Sequence, residues 1–97
     1  MKIGEKEYKP KIDNEVIFAI EEHFEGKYDS DILVLIGKDV QRFKVKEMAE
    51  LIHFTVSDEF TWDEFKKTIL PSQYVECCKE IIIDISKAFG LDKAKKK

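Results

Sequence analysis

Cysteine, proline and glycine are all scarce in this chain of 97 residues, which has two, two and four of them. Both cysteines, Cys77 and Cys78, are adjacent, a spacing too strained for a ready bridge. No spaced cysteine framework exists for a disulfide-stapled secreted scaffold, and a reducing cytoplasm is the expected setting. The glycines, Gly4, Gly26, Gly37 and Gly90, are scattered and form no phosphate-cradling loop. No unbroken apolar stretch exceeds five residues, as in Ile32 to Ile36. A bilayer span needs roughly 18. The opening Met1-Lys2-Ile3-Gly4-Glu5 shows no apolar signal-peptide core. Membrane-spanning, secreted and collagen-like classes are therefore excluded at this level.

What is present is an apolar fraction of 43%, ordinary for a globular domain, and a length that fits one such domain. The chain carries 17 basic and 20 acidic residues. Four of the lysines sit in the last five positions, so residues 1–92 hold 13 basic against 20 acidic groups, a net of −7. An acidic body repels phosphate and opposes a nucleic-acid surface on the folded part. The tail 93–97 reads as a disordered, solvated basic end that attracts nucleic acid only weakly.

The order of elements follows from local pattern. Ile3, a Gly4-Glu5-Lys6-Glu7 tip and an alternating Tyr8 to Ile12 read as an N-terminal β-hairpin. Pro10 lacks a backbone donor, which places that second strand at an edge. Asp13 or Asn14 caps a helix over 14–25, with Val16, Ile17, Ile20 and Phe24 on one face and Gly26 as its stop. Residues 30–45 leave two readings open. Ile32 to Ile36 suits a short helix capped by Asp29 or Ser30, or a buried strand turning at Gly37 into Val40 to Phe43; the helix is preferred because the rest of the chain is helical.

Val45, Met48, Ala49, Ile52 and Val56 then define an amphipathic helix. Thr61-Trp62-Asp63-Glu64 is a capping-box sequence opening a short helix through Phe65 and Ile69. Pro71 stops that helix or starts the next. The final helix, from Pro71 or Ser72 to Phe89, shows a broad stripe of Tyr74, Cys77, Cys78, Ile81, Ile82, Ile85, Ala88 and Phe89. Ile81-Ile82-Ile83 alone would suit a strand, but the flanking period and length favour helix. The predicted fold class is mainly α: four to five helices with a short N-terminal hairpin, one domain over 1–92.

No catalytic constellation emerges. Glu21-Glu22 and Asp58-Glu59 are the densest acid pairs, and both fall on polar faces or in loops rather than a cleft. Ser30, Ser57, Ser72 and Ser86 lack the context of an activated nucleophile. Both thiols are far in sequence from His23 and His53, and read as helix packing. For a metal, His23 with Glu22 or His53 with Glu50 are the available donors, without His-x3-His or Cys-x2-Cys spacing, and structural roles are preferred. Neither an enzyme, a cofactor nor a metal site is expected.

Surplus apolar residues carry the one functional signal. Phe54, Phe60, Trp62, Phe65 and Tyr74 cluster within 21 residues, mostly as core. Leu51 and Phe54 lie off the main stripe of their helix, and Ile83 lies off that of the last. Such extra positions mark a surface for a protein partner. The expected partner-binding residues are Leu51, Phe54, Trp62 and Ile83.

A family resemblance gives that surface a context. The Gly4-Glu5-Lys6-Glu7-Tyr8 hairpin feeds a helix ending Ile20-Glu21-Glu22-His23-Phe24. A helix Val45-Lys46-Glu47-Met48-Ala49-Glu50-Leu51-Ile52 follows, then Thr61-Trp62-Asp63-Glu64-Phe65, Leu70-Pro71-Ser72-Gln73-Tyr74 and a long last helix. Over roughly residues 1–90 this order resembles the small tail assembly chaperones of long-tailed bacteriophages. The resemblance implies a non-enzymatic protein of the host cytoplasm, absent from the finished virion. It implies binding to the tape measure protein and recruitment of tail tube protein, and leaves room for self-association. It also implies a longer frameshifted form, with which Lys95-Lys96-Lys97 is compatible. Ile32 to Phe43 fits the family pattern least. The alternative is a small nucleic-acid-binding regulator. Lys46, Glu47 and Glu50, mixed in charge, disfavour a recognition helix there.

Overall fold

The computed structural model describes residues 1–24 and 44–90. The expectations for 30–45, for the Gly26 stop and for the 93–97 tail lie outside the described residues, apart from Lys44 and Val45. The described chain is mainly helical with a short antiparallel hairpin at its start. Among the described residues no helix is long and apolar enough to cross a membrane.

The hairpin pairs β1 (Lys2–Ile3) with β2 (Lys6–Glu7), with Lys2 opposite Glu7 and Ile3 opposite Lys6. This corrects the expected second strand over Tyr8 to Ile12. Tyr8 extends the pairing by donating its N–H to the Met1 carbonyl at 2.7 Å. Beyond it the ladder ends, because Pro10 has no N–H to give and is buried instead. Lys11 turns its own N–H to the Thr55 carbonyl at 2.9 Å, tying the segment to a helix.

Helix α1 (Asn14–Phe24) starts where Asp13 Oδ1 accepts the Val16 N–H at 2.9 Å, so Asp13 is the cap. It buries Val16 and Ile20. Helix α2 (Val45–Thr55) is central, packing on α4, α1 and α3. Its buried residues are Met48, Ala49, Leu51, Ile52 and Thr55, and Val56 follows at its end. At 100° per residue these span an arc of about 160°, wider than one stripe. Thr55 is accommodated because its hydroxyl donates to the Ile52 carbonyl at 2.7 Å. Val45 shares the angle of the stripe but is 59% exposed, correcting its expected place in the core. It occupies the first position of the helix, at the end of the packed surface.

Thr61 opens helix α3 (Trp62–Thr68) as its pattern predicts. Glu64 N–H reaches Thr61 Oγ1 at 3.2 Å, and Thr61 N–H reaches Glu64 Oε1 at 3.0 Å. The backbone hydrogen bond from Thr61 holds the Glu64 carboxyl below its ordinary pKa. Phe65 and Ile69 close this helix onto the core. Pro71 starts a 3-10 turn (Pro71–Gln73) that runs into α4 (Tyr74–Ala88), which buries Cys77, Cys78, Ile81 and Ile85.

Gln73 joins the hairpin turn to the start of the last helix. Its Oε1 accepts the Gly4 N–H at 2.8 Å and the Leu70 N–H at 3.0 Å, while its Nε2 donates to the Gly4 carbonyl at 2.9 Å. The side-chain amide thus pairs with the hairpin turn as another strand would. Gly4 holds φ +65°, and a Cβ there would stand 3.0 Å from Thr68 Cγ2 and 3.2 Å from the Thr68 carbonyl oxygen. Gly90 ends α4 at φ +75° with open space around it. Alanine at either position meets the left-handed penalty of about 1–2 kcal/mol. Only at Gly4 does it also strike a backbone oxygen. In urea denaturation, Gly4→Ala is expected to lower stability clearly more than Gly90→Ala. Equal losses would show that the hairpin does not close tightly on α3.

Candidate functional site

The four residues expected to bind a partner part company in three dimensions. Leu51 is 1% exposed and belongs to the core, which corrects its assignment to a surface. The physical reason is the two-sided burial of α2: a residue off one stripe faces a second neighbour rather than solvent. Ile83 is 53% exposed on α4, about 200° around the helix from buried Ile81. It borders a cleft of about 530 Å³ between the hairpin and α4, with Lys2, Glu7, Ser72 and Glu76 on its other walls. Phe54 and Trp62 meet elsewhere, in a second cleft of about 260 Å³ completed by His23, Glu50 and His53.

Three helices build this second cleft. Glu50, His53 and Phe54 are spaced i, i+3, i+4, so they share the arc of α2 that faces away from its buried stripe. His23 comes from the last turn of α1, and Trp62 is the first residue of α3. The side chain of Glu50 is 18% exposed, and its Oε1 lies 3.0 Å from His23 Nε2, within ion-pair reach when the imidazole is protonated. The His23 ring meets Phe54 edge-on at 5.3 Å between centroids. His53 Nε2 sits 3.0 Å from the Phe60 carbonyl. A carbonyl only accepts, so that nitrogen carries the proton. The His53 ring stands edge-on to Trp62 at 5.4 Å and tilted to Phe65 at the same distance. The Lys66 ammonium lies 5.9 Å from the Trp62 ring centroid.

The donor pairs considered from sequence are thereby rearranged: Glu50 stands with His23 across the α1–α2 contact. Among the described residues no group of three His, Cys, Asp or Glu side chains is placed to hold a metal ion. Both thiols are buried. Cys77 Sγ lies 3.4 Å from the Lys2 carbonyl and Cys78 Sγ 3.7 Å from that of Met48. Burial pushes the Cys77 thiol up to about 11 and the Cys78 thiol up to about 12.

Sequence reasoning passed over Phe18 and Leu70, which are 63% and 49% exposed, and it placed Phe89 in the stripe of the last helix, whereas Phe89 lies just past the end of α4 and is 42% exposed. For Phe18 the signal was available. It lies about 200° from Val16 and 160° from Ile20 on α1, opposite the buried face. The crossing of α1 and α2 that joins His23 to Glu50 has no such local signal.

No family model, curated protein or solved structure matches the chain.

Thiol reactivity offers a direct check on this placement. At pH 8 the native protein is expected to react with a thiol-specific disulfide reagent at least tenfold more slowly than the urea-unfolded chain, because both thiolates are scarce and covered. Fast titration of either cysteine in the native protein would contradict their burial.

Proposed function

We propose that this protein is a non-enzymatic tail assembly chaperone of a long-tailed bacteriophage, binding the tape measure protein and helping to recruit tail tube subunits. The observation that carries the reading is the placement of large apolar side chains on outward faces. Phe18 on α1, Ile83 on α4, and Leu70 and Phe89 at helix ends are 42–63% exposed on an acidic body. A partner helix that covers such residues removes apolar area from water, and fully burying one Ile or Phe is favourable by about 1.5–3 kcal/mol. The net charge of −7 over residues 1–92 keeps a complex with an apolar chain in solution. The order of hairpin, capped helices and long last helix supports the choice of family by its resemblance. In this reading the protein works in the host cytoplasm and does not remain in the finished particle.

Separate clefts and several separate apolar positions among the described residues fit a holdase that engages a long helical client at more than one point. Co-expression with the tape measure protein of the same genome tests this. The partner is expected to stay soluble and co-purify. Ile83→Asp and Phe18→Asp, both at exposed positions, are expected to reduce the recovered complex severalfold while leaving the helical circular dichroism intact. A tape measure protein that stays insoluble and never co-purifies overturns the assignment.

A further inference from the structure

We propose that the cleft between the end of α1, the outer arc of α2 and the start of α3 seats one arginine side chain of the bound polypeptide. This rests on the reading that the protein holds another chain, and names the chemistry one part of that chain must bring. The cleft measures about 260 Å³. That admits one long side chain but not a helix, whose diameter with side chains is about 10–12 Å.

Its lining selects the kind of side chain. Trp62 and Phe54 present aromatic surface, His53 adds an imidazole ring, and the Glu50 carboxylate stands among them with its side chain 18% exposed. The Glu50 carboxylate lies at the wall of the cleft with His23 Nε2 3.0 Å from its Oε1, and a carboxylate has lone pairs for more than one donor. A guanidinium in the cleft meets that carboxylate with a charge it keeps at every pH and gains attraction from the aromatic rings. The Lys66 ammonium 5.9 Å from the Trp62 centroid already shows the indole accepting a cation as neighbour. Arginine is favoured over lysine because its planar, weakly hydrated head can stack on a ring and meet a carboxylate together. A metal ion is the poorer occupant: His53 Nε2 is engaged by the Phe60 carbonyl, and no set of three donors converges among the described residues. The acidic body, −7 over residues 1–92, favours the approach of a basic segment.

Trp62 is the one tryptophan in the chain, so its fluorescence reports on this cleft alone. The probes are two tryptophan-free amphipathic helical peptides of leucine, alanine and glutamine, one with a central arginine and its twin with citrulline, the uncharged isostere. They are titrated at pH 8, above the ordinary imidazole range. The arginine peptide is expected to bind about tenfold more tightly and to shift the Trp62 emission. Glu50→Gln is expected to erase that preference, bringing the two peptides to equal affinity. Nuclear magnetic resonance on the native protein gives a second readout independent of the variant's folding. Arginine-peptide shifts should centre on the Trp62 indole and the His53 ring, and shifts confined to other residues would overturn the seat. Equal affinity for the two peptides, an arginine preference that survives in Glu50→Gln, or no binding of either peptide at millimolar concentration would each overturn it. Those results leave the chaperone reading to the co-expression experiment, which fails or succeeds on the solubility of the tape measure protein alone.

Discussion

The two-sided burial of α2 is the constraint on which the rest of the structure depends. One helix of eleven residues supplies Met48, Ala49, Leu51 and Ile52 to the core and is contacted by α1, α3 and α4. A domain this short has little interior to share, so one helix must serve several neighbours at once. Consecutive pairs such as Met48-Ala49 and Leu51-Ile52 make this possible, because side chains 100° apart face different partners. The small side chain of Ala49 and the internally bonded hydroxyl of Thr55 occupy buried positions without leaving a polar group stranded.

Around that helix, closure comes from polar groups that each answer a specific backbone vacancy. Asp13 and Thr61 begin α1 and α3, and Glu47 accepts the Lys44 N–H at the start of α2 at 2.9 Å. Gln73 serves a longer-range role by matching both the N–H and the carbonyl of Gly4. A two-stranded hairpin is marginal alone, and this side-chain pairing, with buried Ile3, anchors it to the helical body. The same packing sets a cleft where the hairpin meets α4 and another where α1 and α3 flank the outer arc of α2.

The division of apolar residues follows from this geometry. Core positions take one side of α1 and α4, and Phe18 and Ile83 stand about 180° away on each. On α2 the outer arc is not apolar but mixed, with Glu50 between His53 and Phe54. The Glu50 carboxylate there is partnered by His23 Nε2 at 3.0 Å across the α1–α2 contact. In the proposed reading, the apolar positions on α1 and α4 and the Glu50 carboxylate on α2 would meet a client that is greasy along its length and basic at a point.

Local pattern carried much of the fold. The residues forming α1, α3 and the last helix, the Thr61–Glu64 box, the Pro71 boundary and the Gly90 stop were all legible, because helix periodicity and capping depend on residues within a turn of one another. The hairpin was legible in kind but not in length, since the fate of Tyr8 to Ile12 depends on Pro10 being buried and on a carbonyl offered by Thr55, 44 residues along the chain. Of the site, Phe54 and Ile83 were recognisable as apolar groups in excess of one stripe, and Trp62 as a member of an aromatic cluster. Leu51 was indistinguishable from them until α2 acquired neighbours on two sides, and Glu50 found His23 only through the crossing of α1 and α2. Sequence fixes which faces a helix has; which face meets water is settled when other helices pack against it, because burial is a property of the assembled neighbours and not of the spacing along one chain.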